Sequence, residues 1–195
     1  MTNTNKAVFI DKDGTLIPDI PYNVNPDLIT ISDEVIQGLQ LLQSAGYLLI
    51  IISNQSGVAR GYFPIEALKD VEEKITELLS EHKIKITDFY FCPHYTEGAV
   101  KEYVLNCNCR KPKPGLILRA CKDHNIDAAN SWMIGDILND VEAGNRAGCK
   151  TVLLDNGNET EWTMGDIRTP TFLATGFLRA ADYIVNYTTK AEETK

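Results

Sequence analysis

Short apolar runs that break off abruptly into acidic or polar residues constrain this chain more than any other feature. Ala7–Ile10 runs straight into Asp11, Tyr47–Ile52 into Ser53 and Asn54, and Trp132–Ile134 into Gly135 and Asp136. Phe89–Phe91 and Thr151–Leu154 add two further runs of the same kind. Runs of this length without polar alternation belong to strands buried on both faces, as in parallel sheets. Between them lie stretches with helical spacing. Ser32 is placed to cap a helix with Val35, Ile36, Leu39 and Leu42 on one face and Gly46 at its end. Pro64 suits a first helical turn, with Ile65, Leu68, Val71, Ile75 and Leu78 as its apolar face. Leu116–His124 and Val141–Ala147 read as two more helices, the second stopped by Gly148.

Strands alternating with helices predict an α/β fold, a Rossmann-like parallel sheet with right-handed crossovers and helices on both faces. Asn156–Gly176 carries only loop signals, Tyr183–Val185 is expected as an edge strand, and the tail after Tyr187 is expected to fray. The 195 residues fit one domain, 1–195, with no internal repeat. Ligands of such sheets bind at the carboxyl ends of the strands. That is where the polar residues gather.

Charge narrows the partners. A net charge of −8 argues against nucleic acid as a partner, since binding a phosphate backbone needs clustered Lys and Arg. Any anionic substrate must be captured by local cations against the overall field. No run approaches the roughly 18–20 apolar residues of a membrane span, and Met1–Lys6 lacks the apolar core of a signal peptide. A cytoplasmic location is expected, with no membrane partner and a monomeric state.

Asp11-Lys12-Asp13-Gly14-Thr15 follows the first strand. An Asp-Gly turn alone needs no chemistry. Two carboxylates this close repel, however, and a metal ion is the usual compensation. Asp11 is placed to attack phosphorus as a nucleophile, and Asp13 to protonate the leaving alkoxide and later deprotonate water. Ser53 and Asn54 supply a hydroxyl and backbone N–H groups for phosphoryl oxygens. In Arg110-Lys111-Pro112-Lys113-Pro114-Gly115 the prolines stiffen a basic turn before a helix, so that Lys111 can neutralise a phosphoryl group. Asp136, with Asp11, offers carboxylates to Mg²⁺ or Mn²⁺, and Asp140 one turn later serves to orient the site.

The set DKDGT, SN, K-P and GDxxxD, in this order on successive strands, resembles the four motifs of the haloacid dehalogenase superfamily of phosphatases, from Val8 to Leu154. The resemblance implies a haloacid dehalogenase-like fold and a magnesium site on Asp11, Asp13 and Asp136. The spacing leaves no room for a large cap domain, so the site is expected to be open.

Cys92-Pro93-His94 and Cys107-Asn108-Cys109 offer three thiols and an imidazole, the donor types of a closed tetrahedral zinc site. A closed site has a structural role, stapling the loop 92–109 and placing Arg110 and Lys111. Cys121 and Cys149 read as buried apolar residues, and His82 and His124 as solvated side chains.

The pairing of CPH…CxC with RKPKPG resembles a narrower group, the D-glycero-D-manno-heptose 1,7-bisphosphate phosphatases and the related histidinol-phosphate phosphatases. Ser53–Gly61, with its Arg60, resembles the heptose side. That resemblance implies removal of the 7-phosphate, leaving a 1-phosphate for nucleotide-sugar synthesis toward lipopolysaccharide. It also implies substrate contacts from Asp19, Tyr22, Ser53, Asn54, Gln55, Ser56, Arg60, Arg110 and Lys111. One departure stands out: heptose enzymes commonly carry Lys where this chain has Ile137. A histidinol-phosphate or broad sugar phosphatase, and a silent phosphosugar-binding module, are the alternatives. Intact Asp11, Asp13, Lys111 and Asp136 speak against the silent module.

Overall fold

The computed structural model describes residues 4–193. Of the polar opening Met1–Lys6, residues 1–3 lie outside it, as do the last two residues of the tail. The strands are β1 (Ala7–Ile10), β2 (Leu48–Asn54), β3 (Asp88–Cys92), β4 (Trp132–Gly135), β5 (Lys150–Leu154) and β6 (Phe172–Ala174). The helices are α1 (Asp33–Ser44), α2 (Gly57–Arg60), α3 (Ala67–Ser80), α4 (Gly115–Asp123), α5 (Leu138–Ala147) and α6 (Phe177–Glu193).

All pairings in the sheet are parallel, in the order β3-β2-β1-β4-β5-β6. The chain therefore reverses its direction of winding between β1 and β4. At such a switch point the loops leaving two adjacent strands diverge and open a crevice at their carboxyl ends. Asp11 and Asp136 leave β1 and β4 there.

Alternation within the buried strands divides the core into two layers. Val8 and Ile10 of β1, Leu49 and Ile51 of β2, and Trp132 and Ile134 of β4 face α1, α3 and α6. Ala7 and Phe9, Ile50 and Ile52, and Met133 face the opposite way, against Leu116, Ile117 and Ala120 of α4 and Ala143 of α5. Strands covered on both faces need no polar positions, which is why they read as continuous apolar runs.

The Ser32 hydroxyl caps α1 by accepting the Val35 N–H at 3.4 Å. Pro64 does not open a helix. Its carbonyl accepts the Ala67 N–H at 3.1 Å in a preceding turn, and α3 begins at Ala67. Tyr183–Val185 is not an edge strand. It lies within α6, where Phe177, Ala180, Ala181 and Ile184 form a buried helical stripe. Tyr183 stacks on Phe172 of the true edge strand with ring centroids 3.9 Å apart. That strand falls inside the stretch expected to be loop, because three residues are too few to show a period of two. Helix α6 also continues through Tyr187 to Glu193, where fraying was expected.

Candidate active site

Asp11 is buried at the end of β1, and its N–H donates to the Ile134 carbonyl of β4 at 3.0 Å. The chain then turns tightly, with the Leu16 and Ile17 N–H groups both donating to the Lys12 carbonyl at 3.0 Å. Gly14 sits in this turn at φ +80°, and a Cβ there would fall 2.1 Å from Asp136 Oδ2. Only glycine allows that approach. The Lys12 ammonium is buried and pairs with Asp13. Asp13 Oδ2 also accepts from Gln55 Nε2 at 3.0 Å.

Asp136, directly after β4, and Asp140, in the first turn of α5, join Asp11, with carboxylate oxygens of all three within 4.8 Å of one another. Gly135 makes the approach possible, since a Cβ at this position would lie 2.2 Å from Asp140 Cβ. Three buried acids face one buried cation. Lys111 pairs with Asp11, contacts Asp140 at 2.6 Å and donates to the Ile52 carbonyl at 3.0 Å. Burial pushes the Asp11 carboxyl up to about 7, against the pull of Lys111. Burial, followed by repulsion from Asp11, pushes Asp136 up to about 6. Asp140 is also raised by burial, while Lys111 is held charged by Asp11 and Asp140 in spite of its own burial. A divalent cation suits this surplus of carboxylates.

The two carboxylates expected to face magnesium do meet, while Asp13, the third residue of the expected site, turns its carboxylate elsewhere. Asp11 and Asp136 belong to the cluster, and its third member is Asp140. The Asp13 carboxylate is engaged by Lys12 and Gln55 instead. Ser53 is buried, and its Oγ accepts from Gln55 Nε2 at 2.8 Å, which leaves the hydroxyl proton free to turn toward a ligand. Asn54 spends its carboxamide on the Lys111 peptide, accepting the N–H at 3.0 Å and donating to the carbonyl at 3.1 Å.

Cys92, His94, Cys107 and Cys109 converge as their spacing suggested. Cys92 Sγ stands 3.0 Å from Cys109 Sγ and 3.5 Å from Cys107 Sγ, and His94 Nδ1 lies 3.2 Å from Cys109 Sγ. Thiolates about 2.3 Å from a tetrahedral zinc would be about 3.7 Å apart, so this donor set fits the ion after a small expansion. Hydrogen bonding from Cys92 pushes the Cys109 thiol down to about 5. The Arg110 N–H donates to Cys107 Sγ at 3.3 Å, which ties the cluster to the basic turn.

Small cavities with shared walls surround the chemistry. One of about 220 Å³ is lined by Asp11, Asp13, Lys111, Asp136, Ile137 and Asn158, among others. A second of about 300 Å³ runs between Asp19, Tyr22 and the Gln55–Gly57 turn, meeting Ser56, and shares Asp13 and Asn54 with the first. A third of about 170 Å³ is bounded by Tyr95, Arg110 and Lys113, and shares Lys111. Arg60 lies against Tyr95, its guanidinium carbon 4.1 Å from the ring centroid.

Some site residues gave no signal in the sequence. Asp136 accepts from Thr15 Oγ1 at 3.1 Å and from Asn158 Nδ2 at 2.7 Å. Asn156 Nδ2 donates to the Gly14 carbonyl at 2.7 Å, and Glu159 Oε2 accepts the Leu138 N–H at the start of α5 at 2.7 Å. The segment after β5, expected to be loop, thus straps the site from outside. Only Thr15 was findable, as the last residue of DKDGT. His124 is not simply solvated, since its Nε2 lies 2.9 Å from Asp88 Oδ2.

Comparison with known proteins places these features. A HAD-hydrolase-like family model matches residues 108–180. The D-glycero-beta-D-manno-heptose-1,7-bisphosphate 7-phosphatase of Pasteurella multocida is 44% identical over 153 residues, covering 78% of this chain and 83% of that one. Among solved structures, a putative HAD-like phosphatase from Mesorhizobium loti superposes with a TM-score of 0.82 at 28% identity, covering 94% of this chain and 87% of that one. The D,D-heptose 1,7-bisphosphate phosphatase of B. bronchiseptica, complexed with magnesium and phosphate, has a TM-score of 0.76 at 24% identity, covering 93% and 99%.

Proposed function

Because this chain is a phosphatase of the haloacid dehalogenase-like hydrolases and belongs to the heptose bisphosphate 7-phosphatase family, we propose that it hydrolyses the 7-phosphate of D-glycero-beta-D-manno-heptose 1,7-bisphosphate, leaving the 1-phosphate. The observation that carries this reading is its relatedness to the Pasteurella multocida enzyme over most of both chains. The buried Asp11–Lys111–Asp140 cluster supports the chemistry, and the cations Arg60 and Arg110 support a substrate with a second phosphate.

In this reading an Asp11 carboxylate oxygen attacks phosphorus, forming an aspartyl-phosphate as the P–O bond to the sugar breaks. Asp13 gives its proton to the leaving sugar oxygen, then accepts one from the water whose oxygen attacks the same phosphorus. Inorganic phosphate departs, and Asp11 is regenerated. The Lys111 ammonium and the Ser53 hydroxyl meet the equatorial oxygens where charge is concentrated. Magnesium held by Asp11 and Asp136, with the Asp13 segment beside them, would neutralise phosphoryl charge and keep Asp11 ionised in a site that otherwise favours its acid form. Zinc held by Cys92, His94, Cys107 and Cys109 would staple the loop that presents Arg110 and Lys111. Asp19, Tyr22 and the Gln55–Ser56 turn line the space left for the sugar. The reaction is assigned to the cytoplasm, where the zinc thiols stay reduced, and to a monomer whose residues 1–195 act as one domain.

The test is a substrate comparison with Mg²⁺ present. The beta-heptose bisphosphate should exceed its alpha anomer, histidinol phosphate and simple sugar monophosphates in kcat/KM. A preference for histidinol phosphate overturns the assignment of substrate.

A further inference from the structure

Tyr95 follows the zinc-loop residue His94 and is half-buried beside the cavity of Lys111 and Lys113. Two arginines from separate segments meet on its ring. The guanidinium carbon of Arg60, at the end of α2, lies 4.1 Å from the ring centroid, and that of Arg110 lies 5.1 Å away. Like charges repel, so two cations gathered in one place need compensation. An aromatic face supplies part of it through its quadrupole. A carboxylate would supply the rest, but among the described residues neither arginine pairs with one.

The nitrogens give a second observation. Arg60 Nε and Arg110 Nη1 are both buried without a hydrogen-bond partner. A buried guanidinium N–H left without an acceptor is costly, and the acceptor that matches its planar geometry is a phosphate or carboxylate. The arrangement is also held from behind. The Ala59 carbonyl, next to Arg60, accepts the Ala99 and Val100 N–H groups at 2.8 and 2.9 Å, which ties α2 to the zinc loop.

We infer that Tyr95 is a specificity-determining positioning residue. It gathers Arg60 and Arg110 into a paired cation site for the second, non-transferred phosphate of the substrate. This inference rests on the bisphosphate reading above and adds to it a residue that acts only through the two arginines. Phosphoryl transfer itself does not require the ring, so its loss should appear in KM far more than in kcat.

The experiment compares wild type, Tyr95→Phe and Tyr95→Leu on the heptose bisphosphate and on p-nitrophenyl phosphate, which has no second anion. For Tyr95→Leu the ratio of kcat/KM, bisphosphate over p-nitrophenyl phosphate, should fall about tenfold, with KM for the bisphosphate carrying the loss. Tyr95→Phe keeps the aromatic face and should restore the wild-type ratio. Zinc content, measured on each protein, reports whether the loop has folded. Should Tyr95→Leu fail to hold zinc, Arg60→Gln, outside the zinc loop, carries the same expected fall in ratio. A wild-type ratio that persists in Tyr95→Leu, or in Arg60→Gln where it stands in, overturns the inference alone. Equal losses on both substrates do the same. A wild-type enzyme with no preference for the bisphosphate overturns the substrate reading, and the inference with it.

Discussion

The Asn54 carboxamide grips the Lys111 peptide from both sides, accepting its N–H at 3.0 Å and donating to its carbonyl at 3.1 Å. A residue at the end of β2 thereby fixes the backbone that delivers the only ammonium in contact with Asp11 among the described residues. Asn54 also lines the two cavities that meet at Asp13, so the residue expected to touch substrate is the one that holds Lys111 in place.

Asn54→Leu keeps the branched outline of the side chain and removes both hydrogen bonds. It should lower kcat about ten- to a hundredfold, since misplacing a catalytic group by about 1 Å can cost that much. Asn54→Asp keeps the acceptor, loses the donor, and should fall between Asn54→Leu and wild type. Steady-state kinetics with thermal unfolding of each variant separates misplacement from unfolding.

Asp11→Asn should abolish turnover while leaving the fold intact. Burial already disfavours the Asp11 carboxylate, so a neutral amide should not lower the melting temperature of the metal-free protein near pH 8. Asp13→Asn should cut kcat by about 10²–10⁴, the usual contribution of general acid–base catalysis. Stopped assays paired with calorimetry check both expectations, and a well-folded Asp11→Asn protein with normal turnover would refute the nucleophile assignment.

The raised carboxyls set a pH dependence. In the metal-free protein Asp11 keeps its proton up to about 7 and Asp136 up to about 6, whereas in the unfolded chain both release it near the ordinary aspartate value of 3.8. Over that interval the folded state binds more protons, so stability falls as pH rises. The contribution of these two groups is complete below the unfolded value and lost above about 7. Mg²⁺ favours the ionised forms, so its stabilising effect should grow between about pH 5 and pH 8. Melting curves with and without Mg²⁺ at the two values test this, and an equal shift at both would contradict it.

Zinc removal should act at a distance from the chemistry. Cys107 Sγ accepts the Arg110 N–H at 3.3 Å, so Cys107→Ala loses both a ligand and a contact to the basic turn. The variant should lose bound zinc, melt lower than wild type and show weakened substrate binding as Arg110 and Lys111 become loose. Metal analysis after gel filtration and KM measurements provide the check.

Asn158→Ala should raise the Mg²⁺ concentration needed for half-maximal activity, by roughly tenfold at the low end of what loss of a group orienting a metal ligand costs. Its amide donates to Asp136 Oδ2 at 2.7 Å, and without it that carboxylate loses one of the two side-chain donors that orient it among the described residues, the other being Thr15. Direct titration of Mn²⁺ binding should show the same weakening, which separates it from an effect on turnover.

The sequence by itself determined the places where chemistry could occur. Strands buried on both faces must be apolar throughout, so a polar residue directly after one marks the strand's end, and Asp11, Ser53 and Asp136 are legible for that reason. The zinc ligands are legible because three thiols and an imidazole crowd one short segment. Tertiary structure alone decided which of these residues cooperate. Asp140 rather than Asp13 completes the carboxylate cluster, because Gly135 lets it close in while Lys12 and Gln55 draw Asp13 aside. Asn158 reaches Asp136, and Tyr95 gathers Arg60 and Arg110, across chain separations that leave no periodic trace. Local patterns report what a residue needs from its own strand or helix. Contacts between distant segments depend on how the sheet and its loops close over one another, and only the folded chain contains that information.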